Sequence, residues 1–170
     1  MTAQRASLAV PLLFSAGFFL AGCHRVEIPA SVVRMDDPAA TGQLTKGFYA
    51  VEGQGGGNAW RWTGPDFSVA LAPPPVARQG ARLLLRLYFP ETQIQKLGPM
   101  TLTAYIDGQP LGSETYAEPG NQDFVRDIPA CFLQTNVLPV SFSFDRYSPH
   151  SAGEARDLGA VVLLAALEAK

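Results

Sequence analysis

Trp60 and Trp62 give the clearest chemical signal in this chain. They stand two residues apart in Asn58-Ala-Trp-Arg-Trp-Thr63, so in a strand both indoles point to one face and Arg61 to the other. Two adjacent indoles make a continuous aromatic surface that can stack on the apolar face of a sugar ring. Tyr88 and Tyr105 are further candidate contacts if neighbouring strands bring them close. The competing arrangement places both Trp in the core or at its edge, and the heavy average burial of Trp favours it. Arg61 either pairs with Glu52 on a neighbouring strand or faces solvent.

Catalytic chemistry finds less support. The two histidines are His24 and His150; His24 adjoins Cys23, so a Ser-His-Asp site would depend on His150, in the polar loop Asp145-Arg-Tyr-Ser-Pro-His-Ser151. No Gly-x-Ser-x-Gly turn presents a nucleophile, and no His-Glu-x-x-His or paired Cys/His spacing points to zinc. Gly53-Gln-Gly-Gly-Gly57 lacks the Lys-Ser/Thr of a phosphate loop and has Asn58 where Gly-x-Gly-x-x-Gly would close. It reads as a flexible loop between strands. Asp36-Asp37, Asp107, Asp145 and Asp157 offer oxygen ligands without the spacing of a calcium loop; turn formation and surface charge account for most of them. The sequence therefore assigns no catalytic residue, no metal and no cofactor.

Cys23 has a covalent chemistry of its own. It closes Leu20-Ala21-Gly22-Cys23 behind a charge-free run from Leu8 to Leu20 and a single cation, Arg5. These are the charged and apolar regions of an export signal ending in small residues. The run falls short of the roughly 18 apolar residues that span a bilayer. The segment resembles the lipobox of bacterial lipoproteins. That resemblance implies removal of residues 1–22, acylation of Cys23 and a cell-envelope protein held to a membrane by its lipid. His24 after the lipidated Cys, rather than Asp, implies the outer membrane where the source has two membranes. Cys131, left without a partner in the chain, is expected to act as a small buried hydrophobe in Ile128-Pro-Ala-Cys-Phe-Leu133. The formal net charge of −2 excludes the basic footprint of a nucleic-acid binder.

The elements that would position these residues are strands. Residues 23–45 read as a tether and lead-in with little regular structure, because Pro29, Pro38, Asp36-Asp37 and Gly42 interrupt any period. The globular domain is expected over 46–170. Its strand candidates are Phe48–Glu52, Asn58–Thr63 and Asp66–Leu71 as a hairpin about Gly64-Pro65, Arg82–Phe89, Met100–Asp107, Leu111–Tyr116, Asp123–Ile128 and Val137–Arg146. Asp107-Gly108 is a hairpin turn. Leu158–Leu167 mixes helix-favouring Ala and Leu with Val161-Val162; lacking any charged face, it reads as a central strand packed on both sides. About eight or nine strands at this spacing form a two-sheet antiparallel β-sandwich.

Gly47-Phe-Tyr-Ala-Val-Glu52, Trp60-Arg-Trp-Thr63, Tyr105-Ile-Asp-Gly108, Ser148-Pro149 and Arg156-Asp-Leu-Gly159 together resemble an accessory β-sandwich module of jelly-roll type, found in bacterial envelope proteins and in regions attached to glycosyltransferases. The resemblance spans roughly residues 46–168 and implies an all-β, jelly-roll or galactose-binding-like fold with a non-catalytic role. It transfers no ligand residues. The functional expectation is a lipid-anchored binding or assembly module whose partner, besides the membrane, is a glycan or an envelope protein. The alternatives are a carboxylate-dependent hydrolase and a protein-partner scaffold in a secretion or envelope-assembly complex.

Overall fold

Strand-length runs of alternating apolar residues leave each chain segment with one face to hide, and two such faces packed together satisfy them all. The structure, a computed structural model, describes residues 29–53, 59–75 and 79–170; Cys23 with its lipobox, and residues 54–57 of the glycine cluster, lie outside them. Nine strands appear among the described residues: β1 (Val32–Arg34), β2 (Leu44–Glu52), β3 (Trp60–Leu71), β4 (Ala81–Phe89), β5 (Met100–Ile106), β6 (Gln109–Tyr116), β7 (Gly120–Ile128), β8 (Leu138–Phe144) and β9 (Val161–Ala169). All pairings are antiparallel. The path runs β6-β5-β8-β3-β9-β4-β7, with β2 beside β3 and β1 beside β9.

Ring contacts between strands distant in that path show the sheet folded on itself. Phe142 of β8 meets Phe124 of β7 edge-on at 6.1 Å, and Phe144 of β8 meets Phe89 of β4 at 6.0 Å. The molecule is thus a two-layer, jelly-roll-like β-sandwich, as its alternating runs require. Leu83, Leu85, Leu87 and Phe89 fill the core from one layer, and Val140, Phe142 and Phe144 from the other. Phe67 stacks on Phe142 at 4.9 Å and continues the aromatic filling.

Four local expectations are corrected. Asn58–Thr63 and Asp66–Leu71 are not the arms of a hairpin but one strand, β3, which serves both layers. Its start pairs with β9 (Arg61↔Val162, Trp62↔Val161) and its end with β8 (Asp66↔Ser143 to Leu71↔Leu138). Gly64 and Pro65 fall in the gap between the two ladders, where a residue without an N–H removes no β8 or β9 bond. Secondly, the described part of the lead-in segment, residues 29–45, carries regular structure: β1 pairs with β9, and Val33 and Met35 are fully buried. Tertiary pairing there overrides the local interruptions. Thirdly, Glu91–Leu97 forms a short helix, α1, after Pro90 and before Gly98 at φ +73°, and the strand pattern concealed it. Lastly, Cys131 is exposed on the 3-10 turn Ala130–Leu133, which contributes no buried residue.

Other readings hold. Residues Val161–Ala169 form a strand flanked on one side by β4 and on the other by β3 and β1. Asp107 and Gly108 adopt φ values of 50° and 75°, the left-handed pair that a two-residue hairpin needs. Gly159 is demanded by space: a Cβ there would collide with the Gly64 carbonyl and stand 2.8 Å from Thr63 Oγ1.

Two stability outcomes follow from this packing. Phe142→Ala removes a ring held between Phe67 and Phe124 and is expected to cost about 3–5 kcal/mol in urea denaturation; a cost below about 1 kcal/mol would place this ring outside the core. Gly159→Ala, although it adds a single methyl group, is expected to lower the melting temperature, because backbone rather than a flexible side chain blocks the space.

Candidate functional site

The outward face of the layer containing β9 carries the aromatic residues. In β3 the core-facing residues are Phe67, Val69 and Leu71, and in β4 they are Leu83, Leu85, Leu87 and Phe89. Strand alternation sends Tyr88 to the opposite side of β4, while the start of β3 presents Trp60 and Trp62 outward. Register then sets four side chains in one cross-strand row: Trp62 opposite Val161, Val161 opposite Tyr88, and Tyr88 opposite Asn121. The small Val161 forms a floor between two larger rings. Trp62 and Tyr88 are two inter-strand steps apart, about 10 Å.

This row opens into a groove of about 440 Å³ whose walls also include Glu52, Trp60, Pro90 and Leu163. Both Trp are half-buried, and Tyr88 is 40% exposed. Neither Trp belongs to the core cluster, and both line the groove. A β-bulge between Arg86↔Leu164 and Leu87↔Val162 shifts the register of β9 at Leu163, and a bulge of this kind re-aims a side chain. A second hollow of about 460 Å³ shares Asn121 and Leu163 and is bounded by Arg86, Gln122 and Asp123. There Arg86 Nε lies 3.1 Å from Asp123 Oδ1.

Of the four ring candidates named by the sequence, the structure gathers Trp60, Trp62 and Tyr88. Tyr105 lies elsewhere: Leu102, Ala104 and Ile106 take the core side of β5, so Tyr105 faces out from the other layer, with Lys46, Ser68, Ser141 and Ser143. Sequence reasoning did not single out Asn121, Val161 or Leu163 as groove residues, and none carries a local signal. Their placement comes from register alone.

Arg61 takes neither expected partner. Its guanidinium donates to the carbonyls of Met35 (3.2 Å) and Tyr49 (3.0 Å) on the side of β3 away from the Trp pair. Glu52 is met instead by Arg156, whose Nη1 lies 2.5 Å from Glu52 Oε1. Arg156 is itself gripped by Glu154, through Nε at 2.8 Å and Nη2 at 2.9 Å, and sits over the Tyr49 ring at 5.3 Å. The Glu154 carboxyl accepts these side-chain bonds and the Arg156 backbone N–H, and is pulled from an ordinary 4.5 down to about 2. The clamp ties the loop before β9 to the end of β2 and fixes the mouth of the groove.

The remaining polar candidates have structural duties. His150 Nδ1 stands 3.0 Å from Asp157 Oδ1, which also accepts the His150 backbone N–H at 2.8 Å; these contacts, the backbone one foremost, hold the Asp157 carboxyl below its usual range. The His150 side chain is 72% exposed. Asp37 caps the 3-10 turn through the Ala39 N–H, and Asp145 accepts from the Thr101 N–H at 2.6 Å. Among the described residues no three or more His, Cys, Asp or Glu gather as metal ligands.

No protein-family model matches the chain, and no curated protein matches it. Among solved structures it is similar to a family 35 carbohydrate binding module from Clostridium thermocellum, with 13% identity over 81% of this chain and 98% of that chain and a TM-score of 0.45. It is also similar to CsCBM6-3 from Clostridium stercorarium in complex with cellobiose, with 9% identity over 83% and 95% and a TM-score of 0.46. A third likeness is to part of an exo-beta-1,3-galactanase from Phanerochaete chrysosporium, with 9% identity over 82% of this chain and 29% of that one and a TM-score of 0.46. At these identities and scores the ligand of this chain has to be argued from its own residues.

The clamp makes a pH prediction. A carboxyl with a lowered folded-state pKa contributes stability that is present above its unfolded value and lost as pH falls through the folded one. The melting-temperature advantage of the unsubstituted protein over Glu154→Gln is therefore expected to be full at neutral pH and to close between 4.5 and about 2. Because the pair is solvent-accessible the advantage is small; a gap independent of pH would show that the clamp does not hold in solution.

Proposed function

We propose that this chain is a non-catalytic glycan-binding module of the bacterial cell envelope, tethered to a membrane by lipid on Cys23. The observation that carries the binding reading is the cross-strand row Trp62–Val161–Tyr88–Asn121, with Trp60 beside it, lining one open groove. Ligand sites of this kind combine apolar and aromatic walls with a few polar groups that fix orientation. Here the rings offer stacking surface, while Glu52 and Asn121 offer hydrogen-bond partners at its edges. Among the described residues the groove lining presents one carboxylate, Glu52, rather than the two flanking carboxylates with which most glycoside hydrolases work. That favours binding over hydrolysis.

The anchoring half of the proposal rests on Leu20-Ala-Gly-Cys23 behind an uncharged apolar run. With the outer membrane as its site in a two-membrane source, the module would present its groove to envelope polysaccharide. The competing reading, an assembly scaffold, makes the same groove a seat for a protein.

Two measurements test these halves separately. Trp62→Ala and Tyr88→Ala, once melts show them folded, are each expected to weaken oligosaccharide binding about tenfold or more in calorimetry, a loss of about 1.4 kcal/mol or more. Folded variants with unchanged affinity would remove the groove as the site. Cys23→Ser is expected to abolish labelling by a fatty-acid analogue and to shift the protein from the detergent phase to the aqueous phase; undiminished labelling would contradict the anchor.

A further inference from the structure

The groove has a charge signature that its aromatic rings do not dictate. Among the described residues lining it, Glu52 alone carries a formal charge. The guanidinium that meets Glu52 is already committed: Arg156 directs Nε and Nη2 to Glu154 and Nη1 to Glu52. Two carboxylates thus share one cation, and the cluster keeps a net negative charge at the groove mouth. The next cation along the wall, Arg86, is paired with Asp123. Arg61 points to the other side of β3, where Nε and Nη1 donate to the Met35 and Tyr49 carbonyls. Among the described residues, the lining of the groove holds no cation and that of the adjoining hollow holds Arg86 alone, already paired.

Building on the glycan-binding reading above, we infer that Glu52 sets the charge class of the ligand, so that the groove takes uncharged sugar residues and rejects uronates. A neutral sugar brings hydroxyls, which donate to a carboxylate in charge-assisted hydrogen bonds. A uronate brings a second carboxylate beside Glu52 and Glu154, and sites built for carboxylates use a free, bidentate arginine fork. Arg156 has no such fork to give. Two like charges several ångströms apart near a protein surface repel by enough to weaken binding about tenfold.

The test uses the full mature protein on a panel of neutral oligosaccharides, cello-oligosaccharides included, each paired with the same backbone oxidised at C6 to the uronate. The expected result is that bound neutral members are preferred over their oxidised partners by about tenfold. The ratio should fall toward unity in Glu52→Gln, with melts checking the fold. In the unsubstituted protein the ratio should also shrink as salt rises from about 0.05 to about 0.5 M, where screening shortens the reach of the repulsion. Equal binding of neutral and oxidised members, or a preference that neither the substitution nor salt reduces, would overturn the role given to Glu52 while leaving glycan binding intact. Binding to no member of the panel would remove the groove reading and this inference together.

Discussion

Thr63 and Ala160 are joined three times. The Thr63 N–H donates to the Ala160 carbonyl at 2.9 Å, its hydroxyl donates to the same oxygen at 3.2 Å, and that hydroxyl accepts from the Ala160 N–H at 3.2 Å. Thr63 is fully buried, so each of these groups would be costly to leave unmade. Next to them the Gly159 N–H reaches the Thr63 carbonyl at 2.7 Å, and Gln93 of α1 donates to the Gly159 carbonyl at 2.6 Å. This short seam is where β3, paired with β8 along its later half, passes to the layer of β9. Here β3 belongs to both layers, and β2 follows it from Val69 to Trp60 with shifts of register. Gly159 permits the approach and Gly64-Pro65 releases β3 from one ladder before it enters the other.

The groove is a consequence of that passage. β3 enters the second layer through the pairs Arg61↔Val162 and Trp62↔Val161, so Trp62 shares the outward face of that layer with Val161, and Trp60, two residues earlier, follows by strand alternation. Val161, directly opposite Trp62, is also opposite Tyr88, so the same register that closes the seam builds the aromatic row. The Arg156 clamp works from the other side, holding Glu52 and the Tyr49 ring against the loop that precedes β9. Paired strands, with the loop before β9 held by Arg156, make a preformed surface, which lowers the ordering cost of binding.

Much of this was legible in the sequence because period two is unambiguous where a strand has one buried face. Leu83 to Phe89 and Val140 to Phe144 could be read directly, and Asp107-Gly108 named its own turn. The charge-free run after Leu158 also told its position, since a strand bordered on both sides can dispense with polar residues. What escaped depended on distance in sequence. Gly64-Pro65 has the composition of a turn, and only the change of partner from β9 to β8 explains its place inside a strand. Pro90 and Gly98 did mark the ends of α1, yet one apolar pair, Ile94 and Leu97, gives too few turns for a helical period. The ring pair Trp60 and Trp62 was visible from its spacing, and Tyr88 from the alternation of β4. Tyr105 alternates just as well, but in the opposite layer. The partner of Glu52 is Arg156, 104 positions away, and nothing local distinguishes it from Arg61.

The chain contains two tryptophans, and both line the groove, so intrinsic tryptophan fluorescence reports on this site and on no other. The most direct measurement is therefore emission during titration with an oligosaccharide that binds by calorimetry. The account predicts a saturable blue shift with protection from acrylamide quenching, at the same midpoint as the heat of binding. Calorimetric binding that leaves both the emission and its quenching unchanged would place the ligand elsewhere and contradict the account.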